Sequence, residues 1–166
     1  MGIQASFDWL PANGIGNIKR RGDKLIRLAK SRIKGNGCVA VIIDRDGKDI
    51  ARDEPHCTIH RQCTKANIPL VAAREAMEAW FLADPKICAW LGLSIRLNTE
   101  TLKDPKRVVA TAFFKKIGRP YASRKTRLEV ARHCGGVDDT RNASLAAATR
   151  QLLQCLQPSA ETGDIA

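Results

Sequence analysis

The run Cys38-Val39-Ala40-Val41-Ile42-Ile43 constrains this chain more than any other segment. It is continuously apolar and rich in β-branched residues, so it has no polar side to turn to water. Gly35-Asn36-Gly37 precede it and Asp44-Arg45-Asp46-Gly47 follow it. Such a run between turn residues predicts a strand buried on both faces, the environment of a central parallel strand. Its neighbours fit that reading. Over residues 17–34, Ile18, Leu25, Leu28, Ala29 and Ile33 recur at roughly helical spacing, with Lys and Arg between them, which predicts a basic amphipathic helix. A second helix is expected over about 53–66, with Pro55 in its first turn, where the missing N–H is harmless. Residues 69–73 read as a second strand. A third helix is expected from Glu75, interrupted at Pro85, with a further helical turn over 87–91. The alternation predicts an α/β fold with a small, mainly parallel sheet and flanking helices.

From about Lys103 onward the chain reads as helical, over 107–116, 124–133 and 145–156, with Ser144 as the cap of the last segment. The expected organisation is an α/β core over 1–95, a basic helical extension packed on it over 96–157, and a disordered tail over 158–166. A length of 166 residues suits this amount of structure without disulfide or metal staples. No apolar run approaches the roughly 18 residues needed to cross a bilayer, so no membrane association is expected. The first twenty residues carry no signal-peptide pattern. The six cysteines are scattered and form no C-x-x-C pair. They are expected to be reduced, mostly buried thiols, and a cytoplasmic location follows from that.

Charge narrows the function classes. Twenty-eight Lys and Arg against seventeen Asp and Glu leave a formal net charge of +11. A surface of that sign attracts polyanions, of which nucleic acid is the most abundant in a cell. The cations are concentrated in two stretches. Arg20, Arg21 and Lys24 belong to the first helix. Lys115, Lys116, Arg119, Arg124, Lys125 and Arg127 lie in a stretch over 103–132 whose acids are Asp104 and Glu129. These nine are the candidate nucleic-acid contacts. Arg119-Pro120-Tyr121 reads as an exposed basic loop whose aromatic ring stacks a base. Trp80, Phe81 and Trp90 read as packing residues that join the helical part to the sheet.

The acidic residues point elsewhere. In an extended chain, residues two apart share a side, so Asp44 and Asp46 are expected to aim both carboxylates into one space. That space lies beyond the carboxyl end of a strand, where open α/β sheets hold their ligands. Two carboxylates there repel unless a cation or proton intervenes, and Mg²⁺ or Mn²⁺ suits hard oxygen ligands. Glu75 follows the second strand at the same expected edge, and Glu78 lies three residues on, expected on the same helical face. His56, His60 and Cys63 also share a helical face with zinc-ligand chemistry, but with no fourth ligand evident a partly buried helix side is the better account of them.

The segments Val41-Ile42-Ile43-Asp44-Arg45-Asp46-Gly47 and Glu75-Ala76-Met77-Glu78-Ala79-Trp80-Phe81 resemble a poorly characterised bacterial family of Toprim-like proteins. In these a strand ends in a DxDG turn, and the next strand leads into a Glu-x-x-Glu-Ala-Trp helix. The resemblance covers about residues 38–85. It implies a Toprim-like sheet and a Mg²⁺-dependent, nuclease-like activity on phosphodiester bonds. Asp44, Asp46 and Glu75 would then be catalytic metal ligands, with Glu78 as the alternative for Glu75. It also implies a possible ATPase partner. In Toprim domains a strand ending in Glu-Gly usually comes first; here none precedes residue 38, and the first glutamate is Glu54. The other reading is a non-catalytic nucleic-acid-binding or regulatory module.

Overall fold

The computed structural model describes residues 8–35, 37–95, 98–136 and 138–156. Among these residues the chain forms seven α-helices, one 3₁₀ turn and two strands. The order is α1 (Ile15–Arg32), β1 (Val41–Asp44), α2 (His56–Lys65), β2 (Leu70–Ala73), α3 (Glu78–Phe81), α4 (Pro85–Leu91), α5 (Pro105–Ile117), α6 (Arg124–Ala131), the 3₁₀ turn (Asp139–Arg141) and α7 (Ala143–Leu156). The expected tail over 158–166 lies outside the described residues. No helix of the described residues is long and apolar enough to cross a membrane.

The two strands pair in parallel, Val41 opposite Leu70 and Asp44 opposite Ala73. Parallel neighbours need a crossover, and α2 supplies it. The fold is therefore α/β, with a two-stranded sheet among the described residues. The expected central strand is corrected in two ways. Cys38, Val39 and Ala40 do not pair, and within β1 only Ile43 is buried. The apolar run reflects packing more than pairing. Ile43 joins Ile18 of α1 and Ile59 and Cys63 of α2 in one core cluster. Burying Ile59 fully contributes about 1.5–3 kcal/mol. Helices α1 and α2 pack closely: a Cβ on Gly22 would stand 2.2 Å from Gln62 Oε1. The Gln62 amide crosses that glycine and donates to the Lys19 carbonyl at 3.0 Å.

A second core cluster joins Leu82, Ile87, Cys88 and Leu91 to Val109, Ala112, Phe113, Tyr121 and Val130. It spans the expected boundary near residue 95, so the basic helical region is packed against the α3–α4 segment by a shared core. Asp84 organises this region. Its Oδ1 accepts from the Lys86 and Ile87 amides and caps α4, with Pro85 in the first turn. Its Oδ2 accepts from the amides of Gly135 and Gly136, 2.8 and 3.2 Å away. Pro85 thus begins a helix rather than interrupting one. The last helix also starts earlier than expected. Asn142 Oδ1 accepts from the Leu145 amide, and Ser144 takes a different role as acceptor for the Trp80 indole N–H at 3.0 Å. Trp80 thereby ties α3 to α7, the joining role expected of it.

Cys38 and Cys155 are bonded to each other, with Cα atoms 5.9 Å apart. This corrects the expectation of six reduced thiols. Cys57, Cys63, Cys88 and Cys134 are not disulfide-bonded, and of these Cys63 and Cys88 are buried. Burial pushes the Cys63 thiol up to about 11, which keeps it neutral and unreactive.

Candidate functional site

The carboxyl ends of both strands do meet. Past the last ladder pair, the Arg45 amide donates to the Ala73 carbonyl, Asp46 N–H to the Glu75 carbonyl and Gly47 N–H to the Arg74 carbonyl, each at 2.9 Å. The turn needs left-handed backbone at Asp46 (φ 50°) and Gly47 (φ 71°). Glycine takes that conformation freely, whereas Asp46 is among the few other residue types that tolerate it. A Cβ on Gly47 would come within 3.3 Å of Glu75 Oε1, so the Glu75 carboxylate lies over the glycine. Asp44, Asp46 and Glu75 therefore share one edge of the sheet.

Their carboxylates are not gathered into one centre. Extended backbone stops at Asp44, so the period-two rule that aligned Asp44 with Asp46 no longer applies at Asp46. Asp44 points inward, where its Oδ1 accepts from the Met77 amide at 2.8 Å. Asp46 is exposed. Glu75 precedes the helix that was expected to begin with it, so Glu75 and Glu78 do not share a helical face. Among the described residues no group of three or more His, Cys, Asp or Glu is placed to hold a metal ion. That includes His56, His60 and Cys63 on α2. The arrangement as it stands does not fit a three-carboxylate cation centre.

Glu78 has other partners. It is 2% exposed and accepts from the Tyr121 hydroxyl at 3.1 Å and from Arg127 Nε at 3.2 Å. Tyr121 is itself 7% exposed, so the aromatic expected on an exposed loop is buried and hydrogen-bonded. Burial, then the neighbouring Glu78 charge, pushes the Tyr121 phenol well above its ordinary range. Burial also raises the Asp44 carboxyl, helped by the like charges of Glu78 and Asp46 and opposed by the Met77 amide and Arg127. His56 closes the back of this edge. Its Nε2 lies 3.2 Å from the Asp44 carbonyl, an acceptor, so this nitrogen carries the proton. Its buried Nδ1 has no hydrogen-bond partner among the described residues.

The basic residues are disposed differently. Arg20, Arg21, Lys24, Lys115, Lys116, Arg119, Arg124 and Lys125 are all exposed. Arg119 pairs with Glu129, and its guanidinium lies over the Phe113 ring. Lys116 Nζ stands 5.4 Å from the Trp90 ring centroid. Arg127 is partly committed to Glu78, with its side chain 43% exposed. The expected contacts thus divide into outward cations on α1, α5, α6 and the α5–α6 connection and one cation, Arg127, that also neutralises a buried carboxylate. Sequence reasoning missed the Glu78–Tyr121–Arg127 triad, because Glu78 lies more than forty residues from both of its partners and no local pattern links them. No family model, curated protein or solved structure matches the chain.

Proposed function

We propose that the protein binds nucleic acid through the cations of α1 and of the α5–α6 region, as a non-catalytic binding or regulatory module. The observation that carries this reading is the one-sided charge of those exposed faces. Along α1, Lys19, Arg20, Arg21, Lys24, Arg27, Lys30 and Arg32 accompany a single acid, Asp23. Lys19 pairs with Glu54 and Arg32 with Asp8, but these pairs are exposed and weak, and cations spread along a helix with so few acids favour phosphate contacts. The partners of the inward carboxylates support the non-catalytic half of the reading. Asp44 Oδ1 accepts from an amide, and the buried Glu78 accepts from a phenol and a guanidinium, so both carboxylates have structural partners.

Fluorescence anisotropy with labelled DNA and RNA oligonucleotides tests it. Arg20→Glu/Arg21→Glu/Lys24→Glu should weaken binding at least tenfold, with the fold intact by circular dichroism. Equal affinity for wild type and the triple variant would remove α1 from the interface.

A second reading is the Toprim-like one, a Mg²⁺- or Mn²⁺-dependent nuclease. It is favoured by the shared position of Asp44, Asp46 and Glu75 at the carboxyl edge and by the like-charge pressure on Asp44. It requires those carboxylates to converge. Calorimetric titration of Mg²⁺ into wild type and into Asp44→Asn/Asp46→Asn tests this, and equal heats in both proteins would end it. An ATPase partner rests on the same resemblance alone. A cytoplasmic location rests on reduced thiols, and the Cys38–Cys155 bond removes part of that support.

A further inference from the structure

A groove of about 710 Å³ runs between α4 and α5. Leu93, Val108 and Ala112 give it apolar lining, and Trp90 lines it too. Its ionisable lining residues are Arg107, Lys115 and Lys116, all cationic and all exposed. Arg107 and Lys115 are eight residues apart on α5, with Thr111 midway, so they follow one helix face. At about 1.5 Å per residue they stand roughly 12 Å apart along the axis, too far for one phosphate to bridge. Arg107 is paired with Asp104 at 3.2 Å, but both side chains are exposed and such a pair yields readily to a phosphate.

Trp90 is held as a rigid plate. It stacks on His133 with centroids 4.0 Å apart and planes 15° from parallel, and it meets Phe113 at a tilt. The Lys116 ammonium, on an exposed side chain, also lies over its ring. An aromatic plate beside a line of cations, with no acid in the lining, is complementary to a chain that carries both flat bases and regularly spaced negative charges. In a duplex the base faces are already stacked and the plate would go unused.

We infer that the α4–α5 groove is a binding site for a single-stranded nucleic-acid segment, with one base against the Trp90 indole and successive phosphates on Arg107, Lys115 and Lys116. This rests on the nucleic-acid reading above and assigns it a place and a strandedness. A base entering the groove replaces the Lys116 ammonium over the ring, and that ammonium moves to the adjoining phosphate. Trp90 thereby gains a function beyond packing.

The test uses the full chain with labelled oligodeoxythymidine and oligouridine, read by anisotropy and by tryptophan fluorescence. Binding should quench the wild-type fluorescence, and Trp90→Phe, which keeps a ring against His133, should abolish most of the quench. Lys115→Ala/Lys116→Ala should lower affinity about tenfold, the scale of one lost stacking or charge contact. Trp9 and Trp80 remain in every variant as internal controls. If anisotropy rises with unchanged affinity in the lysine variant and the quench survives in Trp90→Phe, nucleic-acid binding stands and the groove is not its site. A duplex that binds as tightly with the same quench overturns the single-strand assignment. Polyglutamate competing on equal terms overturns the nucleic-acid identity of the occupant. No anisotropy change with any oligonucleotide overturns this inference together with the reading beneath it.

Discussion

The Tyr121 hydroxyl donates to Glu78 Oε1 across 3.1 Å in the interior, joining the α5–α6 connection to the first turn of α3. Arg127 neutralises the same carboxylate from the solvent side. Together with the shared core, this contact fixes the basic helices to α3, and a segment that looked like a loose cationic loop becomes part of the interior.

Tyr121 is the single tyrosine of the chain, so its ionisation can be followed directly by ultraviolet absorbance. In the native protein phenolate should form well above the ordinary value of about 10, whereas in urea it should form near that value. The phenol is raised by folding, so the stability it lends is complete below about pH 10 and falls as pH rises beyond it. Native titration at the unfolded value would contradict the buried hydrogen bond. Tyr121→Phe should destabilise by about 1–3 kcal/mol, because Glu78 then loses a partner in a buried setting.

Asp84 should be the most sensitive acidic position for stability. Its carboxylate caps α4 and also receives the Gly135 and Gly136 amides. Burial alone would raise this carboxyl; the Cys134 thiol and the amides outweigh it and hold it below the usual value. Asp84→Ala removes a cap worth about 1 kcal/mol and strands two amides at about 1 kcal/mol each or more. A loss of about 3 kcal/mol is expected in urea unfolding at pH 7. The depressed carboxyl contributes above the unfolded value of about 3.9 and loses its contribution as pH falls below it, so the difference between variant and wild type should shrink in acid.

Asp44→Asn should act in the opposite sense. Folding raises this carboxyl, so the native state resists its ionisation. That penalty is absent below the ordinary carboxylate value of about 3.9 and complete once pH exceeds the raised one. The carboxamide oxygen still accepts the Met77 amide. The variant should therefore melt above wild type at neutral pH in chelator, and the two should converge near pH 4. A variant less stable at every pH would contradict the electrostatic account of this edge.

Alkylation under denaturing conditions without reductant should tag Cys57, Cys63, Cys88 and Cys134, and with reductant all six cysteines. The Cys38–Cys155 bond closes a sequence separation of 117 residues. Cys155→Ser should lower stability by up to about 4–5 kcal/mol on the chain-entropy account. Six tags without reductant would contradict the bond.

What local pattern could reach was read correctly in kind. The basic helix, the two parallel strands and the helical remainder follow from periodicity and β-branched content over ten or so residues. The error at Cys38-Val39-Ala40 has a physical reason: apolarity reports burial, and these residues are half-buried without joining the ladder. The acidic edge was legible as a location, because strand ends in a parallel pair must fall together. Its geometry was not, because left-handed backbone at Asp46 and Gly47 redirects the carboxylates, and Asp is one of few side chains that permit it. The partners of Glu78 and the bond between Cys38 and Cys155 are products of tertiary packing over long separations, where sequence spacing carries no signal.

The central claim is that exposed cations on this fold meet the phosphates of nucleic acid, and the salt dependence of binding tests it most directly. A plot of log K against log salt for a single-stranded oligonucleotide should be linear, with a slope steeper than about −2, since each neutralised phosphate of a single strand contributes about −0.7 and three or more are engaged. A flat plot, with affinity indifferent to salt, would contradict it.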